Sequence, residues 1–126
     1  MAKEIIHTGN APAPIGPYSQ AVKAGNLLFI SGQIPMDPAT GELVTGDIAE
    51  EVRQVMKNLQ ALLQAAGLGF DAVVKTNIYL SDMALFAQVN EVYGTYFTGQ
   101  FPARETVAVK GLPKGVNVEI SMIAAA

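Results

Sequence analysis

Apolar positions along the chain fall into two helical stripes. The longer stripe repeats at steps of three and four residues: Ile48, Val52, Val55, Met56, Leu59, Leu62, Leu63 and Ala66. Asp47 and Glu50 have the spacing of a capping box and Gly67 is a typical stop signal, so the pattern predicts a helix between them. The shorter stripe predicts a second helix, capped by Ser81 or Asp82, with these apolar positions: Leu85, Phe86, Val89, Tyr93, Tyr96 and Phe97.

The segments around these helices have the composition and alternation of strands. SQAVKAG (19–25) and NLLFISGQI (26–34) read as two strands that meet at a turn-favouring Gly-Asn pair, and AVVKTNIYL (72–80) reads as a third. LLFI (27–30) is apolar on both faces, which is typical of a strand covered on both sides. Strands before, between and after two helices predict an α+β fold of two layers, with both helices on one face of a single mixed sheet. The chain is short enough for one domain over 1–126.

The C-terminal segment FPARETVAVKGLPKGVNVEISM (101–122) contains two alternating apolar runs joined by a loop rich in Gly, Pro and Lys, which predicts a β-hairpin. If the hairpin is symmetric about residues 112–113, Thr106 lies opposite Glu119. Arg104 is then a diagonal neighbour of Glu119 on the same face. A register slip of one residue would place the two charges on opposite faces.

An arginine and a glutamate on one apolar face suggest a site for a small carboxylate. A guanidinium binds a carboxylate through two parallel hydrogen bonds, and Pro102 fixes the backbone just before Arg104. Glu119, beside that cation, is expected to stay ionised near neutral pH and to hold a water for attack on a carboxylate-bearing electrophile. The same pair is also consistent with an ordinary cross-strand ion pair, or with a site that binds a small acid without catalysis.

Charge and composition narrow the functional classes. Half of the residues are hydrophobic and only 15% are charged, which suggests that another copy of the chain covers part of the apolar surface; a compact, thermally robust monomer is the alternative. A net charge of −3 gives no general attraction for nucleic acid or an anionic membrane. The N-terminal segment lacks the apolar stretch of a signal peptide, and no run is apolar and long enough to span a membrane. We therefore expect a cytoplasmic protein.

Several kinds of chemistry have no residues to support them. The chain has no Cys, so disulfides and thiolate nucleophiles are absent, and its one histidine, His7, lies near the N-terminus, where a Ser-His-Asp system is not expected. No His/Cys pattern typical of a metal site occurs, and no glycine-rich phosphate-binding motif occurs. We therefore expect neither a metal nor a cofactor.

Three long segments resemble the RidA/YjgF family in matching order. They are APAPIGPYSQAVKAGNLLFISGQIPMDPATGELV (11–44), FAQVNEVYGTYF (86–97) and FPARETVAVKGLPKGVNVEISMIA (101–124). The resemblance implies a chorismate-mutase-like α+β fold, assembled as a homotrimer with a site between each pair of subunits. It also implies hydrolysis of reactive 2-imino acids or their enamine tautomers, such as 2-iminobutanoate and 2-iminopropanoate, to 2-oxo acids and ammonia.

The resemblance assigns roles to individual positions. Arg104 would hold the substrate carboxylate, Glu119 would hold the attacking water, and Tyr18 would contribute a hydroxyl to the cleft. Further positions would contact substrate: Ser31, Gly32, Asn90, Phe101 and Thr106. Many family members carry Cys where this chain has Thr106, so a thiol is not needed for the chemistry of this chain.

Two alternatives stay open from the sequence. A homotrimer that binds small acids for regulation, or that acts like a chaperone, would use the same residues. Members of the family have also been described as translation inhibitors with endoribonuclease activity. The acidic charge balance, the single histidine and the lack of a basic and aromatic groove argue against binding and cleavage of RNA.

Overall fold

A computed structural model describes residues 2–126, and Met1 lies outside the described residues. The helices and strands, in chain order, are β1 (Lys3–Ile6), β2 (Ala21–Ala24), β3 (Leu27–Gln33), α1 (Ile48–Ala65), β4 (Val73–Leu80), α2 (Phe86–Gly94), β5 (Ala103–Ala108) and β6 (Val118–Ala125). Short 3₁₀ turns precede β4, α2 and β6. No helix within residues 2–126 is long and apolar enough to cross a membrane.

The strands form one six-stranded sheet in the order β1-β2-β3-β6-β4-β5. Neighbouring strands are antiparallel except β4 and β5, which are parallel, so the sheet is mixed. The crossovers through α1 and α2 both advance in the same direction across the sheet. Because such crossovers are right-handed as a rule, they place their helices on the same face. The predicted α+β arrangement of one mixed sheet and two helices is confirmed.

The core lies between the helices and one face of the sheet. Every second side chain of β6 is buried there, and β4 contributes Ile78 and Leu80 to the same face. From α1, several apolar side chains are wholly buried against them: Val52, Val55, Met56, Leu59, Leu62 and Leu63. Each such burial contributes about 1.5–3 kcal/mol relative to an exposed side chain, so this contact is the main support of the fold.

Both helix predictions hold, with one difference in length. Asp47 caps α1, because its carboxylate accepts a hydrogen bond from the backbone N–H of Ala49 at 3.0 Å. Asp82 caps a 3₁₀ turn, and α2 begins only after it, at Phe86. The helix α2 spans 9 residues and ends at Gly94, where the hydroxyl of Thr95 donates a hydrogen bond to a carbonyl of the last turn.

The predicted hairpin over 101–122 is wrong. The strand β4 lies between β5 and β6 and pairs with both. Alternation alone suggested the hairpin, but the two strands differ in burial: β6 buries every second side chain, whereas β5 leaves its side chains at least partly exposed. An apolar strand fits a central position, and the crossover through α2 leaves the more exposed β5 at the edge of the sheet.

Both helices of the described chain lie on one face of the sheet, which leaves the other face open. Large apolar side chains on this open face keep much of their surface accessible, with Phe29 43% and Val107 47% exposed. The N-terminal strand β1, which the sequence pattern did not predict, extends this face and adds Ile5 to it. Contiguous exposed apolar surface of this kind is typical of an interface with another protein.

Candidate functional site

Arg104 lies on the helix-covered face at the edge of the sheet. Its position in β5 is set by parallel pairing with Thr76 of β4, and Thr76 is wholly buried beneath the helices. Paired residues share a face, so the Arg104 side chain extends toward α2. There its guanidinium donates a hydrogen bond of 2.6 Å to the side-chain oxygen of Asn90.

Two aromatic rings of α2 also face the guanidinium. Its carbon atom lies 5.2 Å from the ring centre of Tyr93 and 5.7 Å from that of Phe86, both within range of a cation–π interaction. The Tyr93 hydroxyl donates to the Thr76 hydroxyl at 2.9 Å. Burial raises the pKa of the Tyr93 phenol despite that hydrogen bond and the nearby charge of Arg104, so the hydroxyl remains a donor.

A pocket with a volume of about 430 Å³ opens beside Arg104. Its lining residues are Asn90, Tyr93, Gly94, Phe101, Pro102 and Arg104. Phe101 is 62% exposed and stands at the rim, where its ring packs 6.0 Å from that of Phe97. The volume falls within the usual range for small-molecule sites, and the lining combines apolar walls with one cation.

No acidic side chain in the described part of the chain forms an ion pair with Arg104. The ion pairs among residues 2–126 are Arg53–Glu50 and Lys75–Glu105, and neither includes it. Because its hydrogen-bond partner is a neutral amide, the guanidinium keeps its full positive charge at the pocket. An arginine in this state is suited to binding an anionic group brought by a ligand.

Thr106 lies on the same face as Arg104, two residues further along β5, opposite the buried Ile78. Its hydroxyl oxygen is buried and has no hydrogen-bond partner among residues 2–126. A buried hydroxyl without a partner is rare in folded proteins, and it often marks a place where a ligand or water supplies the missing bond.

Glu119 lies on the opposite, open face of the sheet. It pairs with Tyr79 of β4, one position away from the residues of β6 that point into the core. Burial raises the pKa of its carboxyl above the usual 4.5. The sequence-based expectation that Arg104 lies beside Glu119 in the same chain is therefore wrong, because the predicted hairpin does not form.

Gly32 allows the Glu119 side chain to lie across β3. The pairing of β3 with β6 shifts between Ile30 and Gln33, so Ser31 and Gly32 form a bulge. A Cβ atom added to Gly32 would lie 3.0 Å or less from several atoms of the Glu119 side chain. Only glycine provides this close approach.

Ser31 and Tyr18 adjoin this bulge. The Ser31 hydroxyl donates to the carbonyl of Ser19 at 2.6 Å, which ties the bulge to the segment that carries Tyr18. Tyr18 is 48% exposed, and its hydroxyl accepts a weak bond of 3.4 Å from the backbone N–H of Ile15. The ring and hydroxyl of Tyr18 are therefore available to a ligand.

The predicted site residues thus form two groups in one chain. Arg104, Asn90, Phe101 and Thr106 lie on the helix-covered side at the β5 edge. A second group lies around the bulge on the open side: Tyr18, Ser31, Gly32 and Glu119. The structure brings the members of each group together and separates the two groups by the sheet.

Sequence reasoning missed the residues that hold Arg104. Phe86 and Tyr93 were assigned to the apolar stripe of the second helix, and Thr76 was given no role. A signal was present, because Phe86, Asn90 and Tyr93 are spaced by four and three residues and so share one face of a helix. That face could be connected to Arg104 only once β5 was known to lie beside β4.

Comparison with known proteins identifies the relatives of this chain. A sequence model described as Endoribonuclease L-PSP matches residues 8–126. The chain belongs to this family. RidA and YjgF proteins are among its related structures, which confirms the resemblance drawn from the sequence.

Members of the Endoribonuclease L-PSP family match the chain over nearly its whole length. A RutC family protein from Pyrococcus horikoshii is 58% identical over 122 residues, which cover 97% of each chain. The mouse protein named 2-iminobutanoate/2-iminopropanoate deaminase is 51% identical and covers 98% of this chain and 92% of its own. The crystal structure of RidA from an Antarctic Psychrobacter is 45% identical, covers 98% of this chain and 99% of its own, and has a TM-score of 0.94.

Within residues 2–126 no group of three or more His, Cys, Asp or Glu side chains is arranged to hold a metal ion.

Proposed function

We propose that this chain hydrolyses 2-imino acids and their enamine tautomers, such as 2-iminobutanoate and 2-iminopropanoate, to 2-oxo acids and ammonia. The observation that carries the proposal is the unneutralised guanidinium of Arg104 at the mouth of a pocket of 430 Å³. The mouse relative named for this activity supports it at 51% identity, whereas the P. horikoshii relative carries a name that states no activity.

Arg104 holds the substrate carboxylate in this proposal. The pocket wall offers it no competing anion, and its planar fork matches two carboxylate oxygens. Phe101 and the Tyr93 ring provide apolar surface for the short side chain of the substrate. Thr106 follows two residues further along the same face of β5, and its buried hydroxyl has no partner among residues 2–126.

Glu119 holds the attacking water. A carboxylate with a raised pKa is a stronger base than a free one, so it is better able to accept a proton from that water. Gly32 leaves room for it, and Tyr18 and Ser31 line the same side. These four residues form the half of the site that acts on the C=N carbon.

The two halves combine only if separate copies of the chain meet. One chain separates Arg104 from Glu119 by the thickness of its sheet, and its open face carries exposed apolar side chains such as Phe29 and Val107. A homotrimer whose subunits pack through this face covers the apolar surface. It also places the Arg104 pocket of one copy against the Glu119 group of the next, giving a site at each of three interfaces.

The reaction then follows in two balanced steps. Water held by Glu119 adds its oxygen to the C=N carbon, and the proton it loses passes through the Glu119 carboxylate to the imine nitrogen, which gives a carbinolamine. Glu119 then takes the proton of the new hydroxyl and delivers it to the nitrogen, so that the C–N bond breaks, ammonia leaves and the oxo group forms. Imine hydrolysis is already quick in water, so positioning and one general base supply the modest acceleration that is needed.

The test generates imine in place with a threonine dehydratase and intercepts it with semicarbazide. We expect the wild-type protein to divert imine from the trap to 2-oxobutanoate, and Arg104→Ala to lose that effect. Arg53→Ala is the matched control, because Arg53 lies exposed on α1 and, among the described residues, forms an ion pair with Glu50 alone. If no protein changes the semicarbazone yield, the hydrolase proposal fails and a non-catalytic homotrimer that binds small acids becomes the better account.

An endoribonuclease, as in the description of the family, is the alternative that the same preparation tests. The only histidine is exposed on the segment after β1, and the net charge is −3. RNA cleavage by transesterification usually needs a paired acid and base beside a basic groove. We expect single-stranded RNA to stay intact with the wild-type protein, and cleavage that disappears in Arg104→Ala would favour the alternative.

A further inference from the structure

Three electrically neutral side chains hold the Arg104 guanidinium. The amide oxygen of Asn90 accepts a hydrogen bond of 2.6 Å from the guanidinium. The guanidinium carbon lies 5.7 Å from the ring centre of Phe86 and 5.2 Å from that of Tyr93. Here the side chain is held at three points while its charge stays uncompensated.

The three contacting residues form one stripe on α2, because they are separated by four and three positions. The stripe is fixed to the sheet at one end, where the buried Tyr93 hydroxyl bonds to Thr76. Thr76 is also the residue that pairs with Arg104 across β4 and β5. The three residues are therefore linked in pairs. Backbone pairing links Arg104 to Thr76, a hydrogen bond links Thr76 to Tyr93, and the cation–π contact links Tyr93 to Arg104.

We propose that Phe86, Asn90 and Tyr93 are positioning residues that hold Arg104 without neutralising it, and that the neutrality of position 90 sets the affinity of the site for carboxylate ligands. The inference rests on the proposed function, in that Arg104 is the group that binds the substrate carboxylate. It adds a role for three residues of α2, of which Phe86 and Tyr93 had been assigned to the core alone.

A carboxylate at position 90, in place of the amide, would compete with the substrate carboxylate for the Arg104 guanidinium. A carboxylate there would lie within hydrogen-bond distance of the guanidinium, at an effective concentration far above that of any free ligand. It would occupy the positive charge and also repel the carboxylate of an incoming substrate. For charges about 4 Å apart in partly solvated surroundings, this effect corresponds to at least about a tenfold loss of affinity.

Asn90→Asp is thus expected to weaken binding while leaving the fold as stable as before or more stable, because it creates an ion pair. We would measure the affinity of 2-oxobutanoate, an unreactive carboxylate, by isothermal titration calorimetry, together with the melting temperature. The expected result is affinity at least about tenfold lower than wild type with an unchanged or higher melting temperature. Gln88→Glu is the matched control: it makes the same charge change at an exposed position of α2, and we expect affinity within about twofold of wild type.

A second pair of variants tests the aromatic contacts without adding charge. Phe86→Leu keeps an apolar side chain but removes one ring face, whereas Phe86→Tyr keeps the ring. We expect Phe86→Leu to raise KM about threefold to tenfold with kcat changed less than about twofold, and Phe86→Tyr to retain the wild-type KM. A residue that served the core alone would affect stability in both variants and would not produce this split.

The outcomes separate the inference from the proposed function. If Arg104→Ala abolishes 2-oxobutanoate binding while Asn90→Asp binds it like wild type, the positioning role is wrong and the proposed function stands. Equal KM values for Phe86→Leu and wild type would likewise overturn the role of the rings. If Arg104→Ala itself binds 2-oxobutanoate as tightly as wild type, the carboxylate-binding role of Arg104 fails, and the inference fails with it.

Discussion

Arg104 and Glu119 lie on opposite faces of the same sheet, because Arg104 is paired with Thr76 and Glu119 with Tyr79 on the central partner strand β4. Thr76 points into the core beneath the helices, and Tyr79, three residues further, points to the open face. A single chain therefore presents one residue at each side. Any reaction that uses both residues on one substrate needs two copies of the chain.

Mixing two inactive variants tests this arrangement. Arg104→Ala and Glu119→Gln are each expected to be inactive alone, but a mixed ring contains interfaces with an intact Arg104 from one copy and an intact Glu119 from the next. In a closed ring assembled at random from equal amounts, about one interface in four is of this kind. We expect the co-refolded mixture to recover about a quarter of the wild-type imine hydrolysis.

The control mixes Arg104→Ala with the double variant that lacks both residues, which provides no intact interface. A mixture of the two single variants that stays as inactive as that control, although size-exclusion chromatography of tagged subunits shows exchange, would mean that the site does not combine residues from neighbouring copies.

Gly32→Ala is expected to displace Glu119. The added Cβ would lie 3.0 Å or less from three atoms of that side chain, which is flexible enough to swing away and leave the fold intact. We expect kcat to fall at least about tenfold, while the melting temperature changes by only a few degrees. Gly111→Ala is the matched control, because apart from its two chain neighbours no heavy atom of residues 2–126 lies within 4 Å of its added Cβ.

The helices were predictable because their signals are local. Asp47, the apolar repeat and Gly67 define α1 within one continuous segment, and the structure keeps these limits to within one or two residues. The hairpin prediction failed because strand pairing is not local. The segment that separates β5 from β6 is β4, which ends more than twenty residues before β5 begins, and alternation within 101–122 contains no information about it.

The arrangement of the candidate site also depends on strand pairing, which the sequence pattern does not contain. Each predicted residue falls in one of two groups near the sheet, but the sequence could not assign them to faces without the order of the strands. Glu119 is an example: its predicted neighbour Arg104 lies on the other face of the sheet. The pKa of the Glu119 carboxyl is raised by burial, whereas a neighbouring cation would lower it.

The pH dependence of activity is expected to reflect that burial. A general base must be ionised to act, so activity falls as the pH drops through its pKa, and a raised pKa moves this fall to higher pH than the usual 4.5 of a glutamate. A titration of ¹³C-labelled glutamate by NMR, with Glu119→Gln to identify the resonance, should give a midpoint above 4.5. A midpoint at or below 4.5 in the assembled protein would mean that a cation, such as Arg104 of a neighbouring copy, outweighs the desolvation.

Gln20 is expected to be the most important polar residue for stability in the irregular segment before β2. Its buried side chain accepts a hydrogen bond from the Thr8 backbone N–H and donates to the carbonyls of Thr8, Ala11 and Pro12. Gln20→Leu keeps the volume but leaves these backbone groups without partners, so we expect the free energy of unfolding to fall by about 3 kcal/mol. Urea denaturation at a fixed protomer concentration measures it, since assembly would otherwise shift the midpoint.

Gln60→Leu is the matched control, because Gln60 is exposed on α1, and its change should stay within about 0.5 kcal/mol. Equal losses in the two variants would show that leucine, rather than the lost hydrogen bonds, is responsible.

A loss of stability confined to Gln20→Leu would also affect the candidate site. Residues 8–12 lead directly into the segment that carries Tyr18, so loosening them should raise KM for the imine even at temperatures where the sheet and helices stay folded.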